Sequence, residues 1–308
     1  MINRREMLTE VAGATALGMT LTKLQAADRL TDHPLHIATN TYPWSTFARR
    51  DGKTLTLHTD ELLADIASTG ITGYEPIIHQ PAEFDGLKER LSNHNLEMRS
   101  LYVNSVLHDE EQSEASIDQV LSIAERAADL GTHIIVTNPS PIRWGGSEDK
   151  SDSQLIHQAE SLNRLGAQLK KLGITLAYHN HDSELRQGAR EFHHMLTATN
   201  PEHVKFCLDA HWVYRGCGNS QVALFDAIDH YADRIVELHL RQSKGGIWTE
   251  SFTFDGDLNY ARLFDILRSR GISPHLVLEQ SIETGTSASK TVLAAHQSGY
   301  ENLKESWK

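Results

Sequence analysis

At 308 residues the chain holds one large domain or two small ones, and a closed (β/α)8 barrel needs about 250. The formal net charge of −12 argues against a nucleic-acid partner, because a phosphate backbone demands a positive surface. No uninterrupted apolar run approaches the roughly 20 residues of a membrane-spanning helix, so stable membrane insertion is not expected.

Residues 1–27 differ from the rest. Asn3-Arg4-Arg5-Glu6-Met7-Leu8 sets twin arginines ahead of a mildly apolar stretch, Val11 to Leu21, and small residues follow at Ala26-Ala27. This resembles a bacterial twin-arginine export signal, which implies a periplasmic or secreted protein. The alternatives are a frayed amphipathic helix and a cytoplasmic location.

From residue 34 to 303 the chain alternates short β-like runs with amphipathic stretches and shows no linker or second domain. The predicted strands are His36–Thr41, Gly73–Ile78, Glu97–Asn104, His133–Asn138, Thr175–His181, Val204–Asp209, Ile235–Arg241 and His275–Gln280. Helical periodicity covers Asp60–Ser68, Glu83–His94, Ile117–Leu130, Gln154–Lys171, Ala189–Thr199, Gln221–Tyr231, Tyr260–Arg270 and Ser287–Gln297. Gly131, Gly173 and Gly271 fit the position that ends a helix. Eight strands alternating with eight helices predict an α/β fold, a single (β/α)8 barrel. A doubly wound open sheet usually carries a glycine-rich phosphate turn after its first strand, and here that strand runs into Asn40-Thr41-Tyr42-Pro43-Trp44. The two cysteines make no disulfide framework, and Cys207 reads as a buried strand residue, so stability must come from a core.

Catalytic side chains of a barrel sit at the C-terminal ends of its strands, pointing inward. Side chains alternate along a strand, so inward residues share a phase. Strand five then points Thr175, Ala177, His179 and His181 inward, and strand six Lys205, Cys207 and Asp209. Strand seven points Ile235, Glu237 and His239 inward, and strand eight His275, Val277 and Glu279. Four successive strands thus place a metal-capable side chain at one end and one face: His179, Asp209, His239 and Glu279. Two imidazoles and two carboxylates suit a single Mn²⁺, Zn²⁺, Co²⁺ or Fe²⁺ ion. A structural polar cluster is the alternative.

Tyr178-His179-Asn180-His181, Leu208-Asp209, Glu237-Leu238-His239-Leu240 and Leu278-Glu279 resemble the xylose isomerase-like TIM barrel superfamily, over roughly residues 34–300. The Tyr-His-Asn-His run, with Leu208-Asp209 leading to Trp212, is similar to the sugar phosphate isomerase/epimerase subgroup. The superfamily includes sugar isomerases and epimerases, inosose dehydratases and isomerases, and apurinic endonucleases. Many of its epimerases use two metal-bound glutamates, whereas the strand-five position here is His179. The nuclease branch has a histidine three residues after the strand-six aspartate, and that position here is Trp212.

The resemblance implies a divalent metal acting as a Lewis acid on a substrate carbonyl and its neighbouring hydroxyl. Glu279 serves as both ligand and base, and His181, just beyond His179, is the candidate acid or base near neutral pH. Returning the proton gives an isomer or epimer of a keto sugar or cyclitol. Loss of a β-leaving group gives a lyase or dehydratase reaction on an inosose or 3-keto-glycoside. A carbohydrate- or metal-binding barrel without turnover is a further alternative.

Trp44, Trp144, Trp212 and Trp248 follow strands one, four, six and seven and are candidates for a sugar-binding wall. Glu75, Asn104 and Asn138 are candidate hydroxyl binders, and Lys244 a candidate for a substrate oxygen. Arg241 reads as a partner for an acidic residue, and Glu237, one inward step below His239, as a group that orients it. The partner implied is a small carbohydrate or cyclitol.

Overall fold

The computed structural model describes residues 35–307, and the export signal expected at 1–27 lies outside the described residues. Eight parallel strands form the barrel: β1 (Ile37–Asn40), β2 (Gly73–Glu75), β3 (Ser100–Tyr102), β4 (Ile134–Thr137), β5 (Thr175–His179), β6 (Val204–Asp209), β7 (Ile235–Leu240) and β8 (His275–Leu278). Ladder pairing runs β2-β1-β8-β7-β6-β5-β4-β3. The gap between β2 and β3 is bridged by parallel contacts at Gly73/Glu97 and Ile77/Tyr102, with Tyr74 N donating to Glu97 O at 2.9 Å.

Around the strands lie α1 (Thr41–Arg50), α2 (Asp60–Ser68), α3 (Leu87–Asn93), α4 (Ser113–Ala128), α5 (Asp152–Lys171), α6 (Arg186–Ala198), α7 (Ala210–Gly216), α8 (Gln221–Tyr231), α9 (Tyr260–Ser269) and α10 (Val292–Ser306). None of the described helices is long and apolar enough to cross a membrane.

The core has two layers. Leu176, Tyr178, Phe206, Leu208, Leu238 and Leu240 face the helices and pack with Leu162, Leu165, Phe192, Phe225 and Phe264 in one cluster. Inside the barrel the apolar filling is short: Ile134, Val136, Ala177 and Cys207. Both cysteines are free thiols.

One inward assignment needs correction. Phe206 pairs with Ile235 but Cys207 pairs with Glu237, so Val236 is an extra residue, a β-bulge. The bulge changes the phase of β7 below Glu237. Ile235 therefore joins the helix-facing cluster, and Val236 packs against the barrel-interior set. Above the bulge Glu237 and His239 keep the inward phase.

Helices α1 and α7 were not expected from the sequence, and the last helix has other bounds. The segment after β1 is a helix, α1, whose first turn Asn40 caps by accepting a hydrogen bond from Tyr42 N. Pro43 is tolerated there because first-turn N–H groups lack partners anyway. The last helix runs Val292–Ser306 and not Ser287–Gln297. Thr291 caps its start, and Gly299 lies mid-helix against Phe252. Gly131, Gly173 and Gly271 take φ of +88°, +74° and +71°, the left-handed conformation that ends a helix.

Candidate metal centre

The ladder brings the four predicted ligands together. Asp209 is the register partner of His239, His179 that of Cys207, and Val277 that of His239, with Glu279 N bonded to Leu240 O at 3.0 Å. His179, Asp209, His239 and Glu279 are all buried, and one potential ligand atom from each lies within 4.8 Å of the others. Each also carries a buried atom without a hydrogen-bond partner: His179 Nδ1, Asp209 Oδ2, His239 Nδ1 and Glu279 Oε2. His239 Nδ1 and Glu279 Oε2 are 2.7 Å apart without hydrogen-bond geometry. Buried polar atoms are ordinarily paired. Four such residues with ligand atoms this close fit a divalent cation held by two imidazoles and two carboxylates.

The backbone around these residues is pinned. Asn138 Nδ2 donates to His179 O at 2.9 Å, and Asn180 brackets Asp209 with bonds to its N (3.2 Å) and O (3.1 Å). Asp209 Oδ1 caps α7 through Trp212 N at 2.9 Å, which leaves Oδ2 free. His239 Nε2 lies 3.1 Å from Glu75 Oε1 and 3.3 Å from Glu237 Oε1. Glu237 continues to His275 Nδ1 at 3.0 Å, and His275 Nε2 to His36 Nδ1 at 3.2 Å. This polar column holds the His239 ring from beneath and leaves Nδ1 aimed at the ligand cluster.

Arg241, fully buried, lies beside the cluster. Its Nη2 is 3.0 Å from Glu279 Oε1 and 3.6 Å from Asp209 Oδ2. The Tyr260 hydroxyl donates to Arg241 O at 2.6 Å, and Arg241 Nε donates to Glu279 O at 3.2 Å. The guanidinium also sits 4.3 Å over Trp248 and 4.9 Å over Trp212. Weak hydration and a planar face suit arginine to such a place.

Charge in the metal-free site is divided by these contacts. Burial, joined by Glu279 and opposed by Arg241, pushes Asp209 up to about 6. For Glu279 burial is outweighed by Arg241 and His239, which hold it at about 2. Burial and then the Glu237 carboxylate push Glu75 up to about 8. Burial resists the charged form of His239, but Cys207, Glu75 and Glu279 outweigh it and raise the imidazole well above its usual value. His179 is pushed well below by burial and then by His239. Burial, with Arg241 adding, lowers His181 to about 4, so its ring is neutral at pH 7.

A cavity of about 820 Å³ opens above the cluster, and His179, His181, Glu75, Glu279, Arg241, Trp144 and Trp212 all line it. Asn104 lines it too, while Asn138 lies behind the wall and serves the backbone of His179. Lys244 is not part of the cavity. It sits in a small hairpin (Ser243–Lys244 with Ile247–Trp248), exposed and paired with Asp255 at 2.7 Å. Trp44 is buried against His296 and bonds Thr39 Oγ1, so it caps the core and forms no wall. Trp248 supports Arg241 from behind. Tyr42 and Arg49 line the cavity without having been read from the sequence, because α1 was not expected. The Tyr260 support of Arg241 was equally unread, since no spacing rule links a helix start to a strand end.

Residues 63–301 match a family model described as xylose isomerase-like TIM barrel. Among curated proteins, an inosose dehydratase from Clostridium perfringens (strain 13 / Type A) is 24% identical over 251 residues, covering 71% of this chain and 81% of that protein. Among solved structures, a sugar phosphate isomerase/epimerase from Parabacteroides distasonis ATCC 8503 superposes with a TM-score of 0.69 at 18% identity, covering 89% and 97% of the two chains. An L-ribulose 3-epimerase superposes with a TM-score of 0.65 at 16% identity, covering 89% and 95%. At such identities the structural likeness speaks for the fold alone.

Proposed function

The chain belongs to the xylose isomerase-like TIM barrel family, and on that premise we propose that it is a divalent-metal-dependent enzyme that removes a proton next to a carbonyl of a keto sugar or cyclitol. The observation that carries the reading is the cluster of His179, Asp209, His239 and Glu279, each with a buried atom that has no hydrogen-bond partner, beside a cavity that His179 and Glu279 line. The inosose dehydratases and sugar epimerases among similar proteins support a sugar-like substrate.

His179, Asp209, His239 and Glu279 would hold the ion, which when bound polarises a carbonyl oxygen and its neighbouring hydroxyl. Glu279 keeps its carboxylate ionised at neutral pH through Arg241, so it is ready to accept the proton from the adjacent carbon. Arg241 presents a buried guanidinium at the cavity wall, where negative charge grows on the substrate oxygens; Glu279 holds the guanidinium, and Tyr260 fixes the Arg241 backbone. His181 lines the same wall as a neutral imidazole with Nδ1 unpartnered, a hydrogen-bond acceptor or base and not a proton donor before it has taken one up. Trp144 and Trp212 flank His181 at 5.4 and 5.9 Å.

A second reading is elimination, as in a dehydratase. His179 stands where a symmetric epimerase would carry a second metal-bound glutamate, so the site has no second carboxylate at that position to return a proton to the opposite face. That asymmetry suits loss of a leaving group after proton removal. For location we propose export through residues 1–27, which replacing Arg4 and Arg5 by lysine blocks if the reading is right.

The test is elemental analysis of protein purified without chelator, with His239→Ala and Glu279→Ala beside wild type. One equivalent of Mn, Zn, Co or Fe in wild type, lost in both variants, is expected. Protein that takes up no metal after reloading refutes the mechanism. Metal-loaded protein is then incubated with keto sugars and inososes in D₂O. Deuterium at the α-carbon marks proton transfer, an enone marks elimination, and binding with neither identifies a barrel without turnover.

A further inference from the structure

The cavity is larger than the substrate that the metal cluster by itself requires. Even at about 30 Å³ per heavy atom, the share of one water molecule, a hexose fills no more than about 360 Å³. The cavity holds about 820 Å³, so more than half of it lies beyond one sugar ring.

The extra space has a continuous wall of rings. Trp144 meets His181 edge-on at 5.4 Å, and His181 meets Trp212 at 5.9 Å. Arg241 lies 4.9 Å from the Trp212 ring and 5.8 Å from that of Tyr42. The arc thus runs from the metal cluster out to two rings at the mouth. Those outer rings are bare: Trp144 is 53% exposed and Tyr42 42%, with Ile142 exposed beside Trp144.

Trp144 also sits on a tethered loop. Arg186 donates to Gly146 O at 2.9 Å and to Glu148 O at 3.1 Å and pairs with Asp149 at 2.8 Å. Arg143 pairs with Glu148 at 2.6 Å. A large indole held out in water at the lip of a cavity is a prepared platform for a ring that stacks on it. The same pairings decide the charge of that ring's owner. Arg49, Arg143, Arg186 and Arg241 all line the cavity, but Arg143 pairs with Glu148, Arg241 with Glu279, and Arg186, at the start of α6, with Asp149 and two carbonyls of the Trp144 loop. Among the described residues this leaves no arginine cluster of the kind that recognises a phosphate.

We infer that the substrate is a neutral two-ring molecule, a glycoside whose sugar ring meets the metal cluster while its second ring, sugar or aromatic, stacks on Trp144 and Tyr42. The inference rests on the proposed reaction for the orientation of the sugar ring. It rests on the cavity wall alone for the second ring.

The test is isothermal titration of the full chain, both metal-free and loaded with Mn²⁺ or Zn²⁺. The ligands are a hexose, its 6-phosphate, a phenyl glycoside and a neutral disaccharide. A two-ring ligand is expected to bind about tenfold tighter than the hexose, the margin of one or two ring contacts. The phosphate is expected to add nothing. Trp144→Ala and Tyr42→Ala, both at exposed positions that leave the core intact, each shrink the margin of the two-ring ligand and change hexose affinity much less. Equal affinities for hexose and glycosides, tighter binding of the phosphate, no binding of either glycoside, or no effect of either variant overturns the inference. The metal reading fails on metal content, whereas the second-ring site shows in the metal-free titration, so the two failures are distinguishable. Preference for the phenyl glycoside or for the disaccharide tells which ring the site takes.

Discussion

Asp209→Asn separates what the site contributes to function from what it contributes to stability. In the metal-free protein, Asp209 Oδ1 caps α7 through Trp212 N, while Oδ2 has no hydrogen-bond partner. Asparagine keeps the cap and resembles the protonated acid in shape and charge. Burial moves the carboxyl from 3.8 up to about 6, a difference of about 3 kcal/mol between its two protonation states. Because the folded value lies above the unfolded one, the ionised group costs stability at pH 7, and the cost fades as pH falls through 6 toward 3.8. Asp209→Asn should therefore stabilise the chelated protein at pH 7.5 by about 3 kcal/mol, a rise in Tm of about 5–10 °C for a chain of this size. Near pH 4.5 the gain should shrink to about 1 kcal/mol. With metal present the order should reverse. Ligand at a thousandfold excess over Kd stabilises wild type by about 4 kcal/mol, and the variant, short one anionic ligand, loses most of that. Thermal melts with and without chelator at the two pH values, beside elemental analysis, measure all of this. A variant less stable than wild type after chelation, or one that binds metal as tightly, refutes the assignment of Asp209 Oδ2 as a ligand held ready at a cost to the fold.

Glu250→Gln should lower stability by about 1–3 kcal/mol, because the carboxylate accepts bonds from Arg50 Nη1, Ser289 N and Oγ, and Lys290 N. Burial opposes its ionisation, but those donors hold its pKa below 4.5, so its contribution is present above that pH and lost as pH falls through the folded value. Urea melts stepped down from pH 7 should show the gap at neutral pH and its narrowing as pH falls below 4.5. Lys244→Ala should leave substrate affinity unchanged and stability within about 0.5 kcal/mol, since among the described residues its only ion pair is with exposed Asp255; a large rise in KM would place it at the cavity after all. Gly166→Ala should destabilise by about 1–3 kcal/mol, since a Cβ there would lie 2.1 Å from His203 O, where α5 meets the loop before β6; a neutral effect on Tm would show that α5 is free to move away.

The architecture was legible in the sequence because a parallel barrel repeats two periods that local residues must obey, alternation in strands and the 3.6-residue turn in helices. His179, Asp209, His239 and Glu279 could be picked out for the same reason: side-chain direction at a strand end follows from counting residues, provided that pairing is regular. Where pairing is irregular, counting failed. The bulge at Val236 turned Ile235 outward, and only its position below Glu237 spared His239 from the same error. Boundaries set by caps were also lost, as at Asn40, which starts a helix where the strand was expected to continue.

Contacts between residues far apart in sequence belong to the tertiary structure. Lys244 follows β7 just as Arg241 does, yet one points to Asp255 and the other lies against Glu279, Asp209 and Trp248. Trp44 and Trp144 are both tryptophans after strands, but one is buried on His296 and the other stands at the mouth. By itself the sequence determined which strand ends carry ligands, because period-two geometry is local. The packed barrel decided which charges meet, which aromatic rings stay bare and how large the cavity is, because each depends on elements brought together only when the sheet closes on itself.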